Sequence, residues 1–129
     1  MKKVIAMVVA LIGVAILVMG IVFITQANTA KKTVADQVAP IALKDVNAQY
    51  DAFTAGYNQK MAEEQPNITA GKAAPSAVYD YYGAQRALLG LAKSNLGTAG
   101  FVLMTGVVDI VLGLGLILTG MVLYMKPAA

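Results

Sequence analysis

Two apolar runs constrain this chain more than any other feature. Val4 to Thr25 contains no acidic or basic side chain (Asp, Glu, Lys or Arg), and Thr98 to Met125 contains one, Asp109. A helix needs about 20 apolar residues to cross the hydrocarbon core of a bilayer, so each run is long enough to span it with some tilt. Neither suits a lipid-facing barrel, because period-two alternation is missing and there are only two runs. Composition points the same way: of 129 residues, 58% are hydrophobic and 13% charged, against roughly a quarter charged in an ordinary soluble domain. The sequence predicts an all-α membrane protein, two transmembrane helices joined by a helical-hairpin extracytoplasmic region.

The expected divisions are transmembrane helix 1 at 4–27, the extracytoplasmic region at 28–97, transmembrane helix 2 at 98–125 and a short cytoplasmic tail at 126–129. The start, Met1-Lys2-Lys3 ahead of an apolar stretch, also resembles a secretory signal. Its apolar run exceeds the 7–15 residues usual for a signal core, and Thr25-Gln26-Ala27 only partly matches a cleavage site, so an uncleaved signal-anchor is expected. Lys2, Lys3 and Lys126 flank the spans on one side, Lys31, Lys32 and Lys93 on the other. A loop of about 70 residues escapes the positive-inside rule, and the first helix usually dominates. Both termini are therefore expected in the cytoplasm and the loop outside, in a plasma or cytoplasmic membrane. The glycosylation sequon Asn67-Ile68-Thr69 fits an outside loop but is common by chance.

Within the loop, Val46, Tyr50, Phe53, Tyr57 and Met61 recur at helical steps of three and four. A helix is expected over about 33–64, kinked or broken near Ala39 by Pro40, with Thr33 to Asp36 as a capping box at its start. Residues 66–75 read as a turn, and Ser76 as the cap of a second helix over 76–94. Ser94-Asn95 and Gly97 then read as a joint, with Thr98 as a possible cap for the second span. The loop carries seven basic and six acidic residues, a mixed surface unlike the concentrated basic face nucleic acid requires. Two short helices bury too little area to stand alone, so anchoring or a partner must stabilise them. Tyr50, Tyr57, Tyr79, Tyr81 and Tyr82 suit either of two roles: zipping the outer helices together or contacting a partner.

The most informative pattern lies inside the spans. Ala6, Gly13, Gly20 and Ala27 are seven apart, and so are Ala99, Gly106, Gly113 and Gly120. Small residues let backbones approach closely, which in lipid gains dispersion contacts that hydrophobic burial cannot supply. A seven-residue repeat keeps such a seam aligned if the helices wrap in a left-handed sense. Either the two spans pack on each other antiparallel, stripe on stripe, or one stripe serves a neighbouring subunit. Gly100 and Gly115 leave further small surface on helix two.

Asp109 lies three positions after Gly106 and four before Gly113, on the small-residue face. A carboxylate there costs about 2.5–3.5 kcal/mol on insertion scales. Protonation, or a hydrogen bond to Thr105, Thr119 or a backbone carbonyl, would make it structural. Pairing with a partner's Lys or Arg, or binding an ion or proton, would make it functional.

Catalysis has little to stand on. Absence of Cys, His and Trp excludes disulfides, thiolate or imidazole metal sites and Ser–His or Cys–His chemistry. The adjacent Glu63 and Glu64 point to different helix faces and form no acid–base pair. Gly97-Thr98-Ala99-Gly100 lacks the Lys-Ser/Thr of a phosphate loop. No catalytic, cofactor or metal residue is expected, and no cofactor. The expected function is a non-enzymatic membrane subunit or scaffold whose partners are the lipid bilayer, itself or other membrane subunits, and not nucleic acid. Alternatives are an ion- or proton-conducting oligomer using Asp109, or a sensor ectodomain dependent on a partner chain.

Overall fold

The computed structural model describes residues 1–127. It is helical, with no strand among the described residues: α1 is Lys2–Val38, a 3-10 turn follows at Leu43–Asp45, α2 is Val46–Thr69 and α3 is Ala77–Met125. Both α1 and α3 are long and apolar enough to cross a membrane. Two compact units result. One comprises residues 1–30 with residues from Thr98 onward, the other Lys31–Gly97. The expected tail, 126–129, lies partly outside the described residues.

Helix boundaries depart from expectation in three places. First, α1 does not stop at Ala27 but runs to Val38. Residues 28–38 contain neither Pro nor Gly, so Thr33 starts no new helix and its capping box does not form. The helix ends where Pro40 withdraws an N–H and restricts Ala39, and Ile41 closes the turn onto the Val38 carbonyl at 2.9 Å. The helix expected over 33–64 is thus the end of α1 and most of α2, separated by residues 39–45.

Second, the turn expected at 66–75 begins later, because α2 passes through Pro66 and ends at Thr69. Pro66 sits within the last helical turn, so little of the ladder follows it. Gly71 then adopts φ +71°. Its N–H donates to the Ile68 carbonyl at 3.0 Å and that of Lys72 to the Asn67 carbonyl at 2.9 Å. This is the Schellman pattern, in which glycine takes the left-handed position that a Cβ disfavours.

Third, no joint interrupts Ser94 to Thr98. The helices expected over 76–94 and 98–125 are one element, α3. Glycine inside a helix costs up to about 1 kcal/mol but does not break it unless the backbone leaves helical φ. Gly97 stays helical; Gly71 is the one glycine with positive φ among the described residues.

In the first unit, side-chain size sorts inside from outside. Ala6, Ala27 and Ala99 are 1–3% exposed, whereas Leu11, Phe101 and Val111 are 65–73% exposed. Water as solvent would favour the reverse, with large apolar groups inside. The second unit is built the ordinary way. Val34, Val38, Val46, Leu89 and Ala92 form a buried cluster, with Ile41, Leu43, Tyr50, Phe53 and Leu96 packed against it. The break at Pro40 lets the end of α1 and the start of α2 share that cluster with α3.

Candidate functional site

The eight small residues singled out by spacing are all buried. Gly13 faces Gly113: a Cβ on Gly13 would lie 2.8 Å from the Gly113 carbonyl oxygen, and a Cβ on Gly113 would lie 2.7 Å from that of Gly13. Gly20 and Gly106 form a second reciprocal pair at 2.6 and 2.7 Å. A Cβ on Gly120 would meet the Ala6 carbonyl oxygen and the Ala10 Cβ at 2.8 Å. Each step of seven up α1 is matched by a step of seven down α3, so the two segments are antiparallel. The same register sets Ala27 level with Ala99. These approaches leave no room for a methyl group at the three glycine levels. The side chains of Ile110 and Ile24 close in beside Gly20 and Gly106, while Gly13 and Gly113 meet the backbone of Ile117 and Leu17.

Polar groups in this unit are mostly answered within their own helix. Thr25 donates to the Ile21 carbonyl at 3.0 Å, Thr105 to that of Phe101 at 3.0 Å and Thr119 to that of Gly115 at 2.8 Å. Such bonds to the carbonyl four residues back hide a hydroxyl from an apolar surrounding. At one end, the Lys3 ammonium lies 5.5 Å from the centre of the Tyr124 ring, a cation–π contact between two residue types that favour the membrane–water interface.

Asp109 is the exception. It is half-buried on the flank of the seam, and by helical register it and Ile110 straddle the line of Gly106 and Gly113. Thr105, one turn before it, spends its hydroxyl on the Phe101 carbonyl, and Thr119 lies ten residues further along α3, about 15 Å away and out of reach. Among the described residues the one ion pair is Lys60 with Glu63, and Asp109 has no hydrogen-bond partner.

In the second unit the tyrosines are largely occupied by packing. Tyr79 is buried, Tyr50, Tyr57 and Tyr82 are half-buried, and Tyr81 is 53% exposed. Tyr57 meets Tyr79 edge-on with ring centres 5.4 Å apart, and Phe53 meets Tyr81 and Tyr82 at 5.8 and 6.0 Å. Three glycines that the sequence reading passed over receive these rings. Tyr82 lies against Gly56, Tyr57 against Gly83 and Tyr50 against Gly90. The signal that would have found two of them is the same seven-residue spacing, Gly83 to Gly90. Arg86 and Lys93 complete the layer, over the rings of Tyr57 at 4.9 Å and Tyr50 at 5.1 Å.

The turn joining α2 to α3 is tied by one carboxylate. Glu64 accepts from the Ser76 N–H and from its hydroxyl, both at 2.8 Å, while Ser76 Oγ accepts from the Tyr79 N–H at 3.1 Å. Ser76 is therefore the N-cap of α3, held by Glu64 from the preceding helix. Glu63 turns elsewhere, to Lys60 at 2.9 Å and Gln59 at 3.1 Å. The Lys60 hydrogen bond holds the Glu63 carboxyl below its usual range. Burial raises the Tyr79 phenol, whose hydroxyl donates to Gln65 Oε1 at 3.1 Å. Among the described residues no three His, Cys, Asp or Glu side chains gather as a metal site. Gly97-Thr98-Ala99-Gly100 is helical and presents no loop.

No family model, characterised protein or solved structure matches the chain.

Proposed function

We propose that this chain is a small, non-enzymatic integral-membrane subunit or scaffold. Residues 4–27 and 98–125 lie in the bilayer, both termini face the cytoplasm, and residues 28–97 form a helical hairpin on the outer side. The observation that carries the reading is the inverted packing of the first unit, with glycine and alanine inside and large apolar side chains outside. Lipid tolerates that outer surface, and close backbone contact supplies the association that burial cannot. Because the paired stripes are spent on the α1–α3 contact, other subunits are met through the surfaces left over, on the outward faces of α3 and on the exposed Tyr81 side of the outer helices.

Native cysteine is absent, which makes the topology directly testable. Lys72→Cys and Lys126→Cys, each as the sole cysteine, are treated with a membrane-impermeant maleimide on intact cells. The proposal expects Lys72→Cys to react and Lys126→Cys to react only after permeabilisation. Equal reaction of both in intact cells would remove it. Assembly is read separately, by the size of the species extracted in mild detergent compared with 13.4 kDa for one chain.

A second reading, conduction of ions or protons by an oligomer, is favoured by one observation, the unpartnered Asp109. It expects Asp109→Asn to abolish proton flux into liposomes while assembly persists.

A further inference from the structure

We infer that Asp109 is a docking point for a transmembrane helix of another protein that carries a lysine or arginine within its apolar span. The inference rests on the membrane reading above and names the kind of partner that reading leaves open. Four observations carry it. Asp109 is the one residue among Asp, Glu, Lys and Arg between Val4 and Thr25 or between Thr98 and Met125. It stands 11 residues from one end of its apolar run and 16 from the other, about 16 and 24 Å along the helix. That distance is too great for a lysine beyond either end to reach back. It is half-buried and has no partner among the described residues, the hydroxyl of Thr105 one turn away being engaged by the Phe101 carbonyl. Finally, neither apolar run contains a basic residue, so a second copy has no cation to offer at this depth.

An unpaired carboxylate in hydrocarbon is costly, and an opposite charge brought on a neighbouring helix relieves the cost of both groups at once. The side of α3 that Asp109 borders is open to such a helix: Phe101 and Leu112, which follow the same face, are 73% and 54% exposed. A guanidinium or ammonium approaching along this flank meets the carboxylate without disturbing the Gly106–Gly20 contact, because Ile110 closes the other flank. Charge complementarity therefore selects a basic helix over a wholly apolar one.

The test uses the full chain reconstituted in phosphatidylcholine vesicles, with a donor dye on Lys72→Cys and acceptor-labelled synthetic helices of leucine and alanine. One helix carries a central arginine and its control a central leucine. Energy transfer is expected to show the arginine helix binding about three- to tenfold more tightly than the control, in line with polar contacts measured between membrane helices. Asp109→Asn should remove that preference. Asp109→Lys should transfer it to a helix with a central aspartate, which guards against a variant that merely perturbs folding. Equal binding of the two helices by the unsubstituted chain, or a preference that survives Asp109→Asn, overturns the inference. So does an Asp109-dependent proton flux, or an Asp109-dependent self-association, without preference for arginine. Dye protection in the same vesicles separates the cases: a chain that fails to insert sinks the membrane reading itself, whereas an inserted chain indifferent to arginine sinks only the pairing.

Discussion

Gly13 and Gly113 face each other so closely that a methyl group on either would lie within 2.8 Å of the other's carbonyl oxygen. The atoms in the way are backbone, which cannot swing aside as a flexible side chain would. Gly113→Ala and Gly20→Ala should therefore push α1 from α3, at a cost of about 1–3 kcal/mol typical of overpacking. Gly100→Ala and Gly115→Ala meet nothing within 4 Å and should leave the pair unchanged or stabilise it by up to about 1 kcal/mol through helix propensity. Unfolding by graded addition of SDS, followed by energy transfer between dyes on the two segments, measures both sets. Equal effects at Gly113 and Gly115 would refute the assigned seam.

Glu64 and Ser76 make the second local prediction. Ser76→Ala removes both the cap of α3 and a ligand of Glu64, and should cost about 0.5–2 kcal/mol. Its signature is faster amide exchange at Tyr79, whose N–H bonds to Ser76 Oγ, with little change beyond the first turns of α3. Glu64→Gln keeps one acceptor for the Ser76 N–H and should cost less. The reverse order would show that Glu64 does not act through Ser76.

Tyr79 supplies a pH dependence. Burial raises its phenol above the ordinary value of 10.0, so the folded chain keeps this proton after the unfolded chain has lost it. Stability contributed by the neutral phenol is present below the ordinary value and is lost as pH rises from there through the folded value. In an alkaline titration of tyrosinate absorbance, a late step above the ordinary value should be missing from Tyr79→Phe. A late step that persists in Tyr79→Phe would assign the shift to another ring.

The parts of this fold that can be read from sequence are those set by residue pattern over many positions. Two apolar runs mark α1 and α3, and spacing alone selects Gly13, Gly20, Gly106 and Gly113, where an added Cβ would lie 2.6–2.8 Å from a carbonyl oxygen of the facing helix. What the pattern hides is where helices end. Thr33, Ser94 and Gly97 carry the composition of caps and joints, yet the helix runs through all three because no proline or left-handed residue stops it. Pro66 misleads in the opposite sense, since a proline near a helix end removes little of the ladder while Gly71 provides the true stop. The ring sockets at Gly56, Gly83 and Gly90 are legible only when two helices are considered together, because each glycine's role is set by a tyrosine on the other. Asp109 is visible at once as an oddity. Its lack of a partner is not, since that depends on where Thr105 sends its hydroxyl and on what the facing helix brings to this level.

Nitroxide labels report most directly whether hydrocarbon is the medium around the first unit. With labels at Leu11 and Val111, on the full chain in liposomes, collision with dissolved oxygen should be frequent and collision with a water-soluble nickel chelate rare. Oxygen partitions into acyl chains and the chelate is excluded. A label at Lys72 should show the opposite preference. Frequent chelate collisions at Leu11 and Val111 would mean that water bathes these side chains, and the account of the inverted packing would fail.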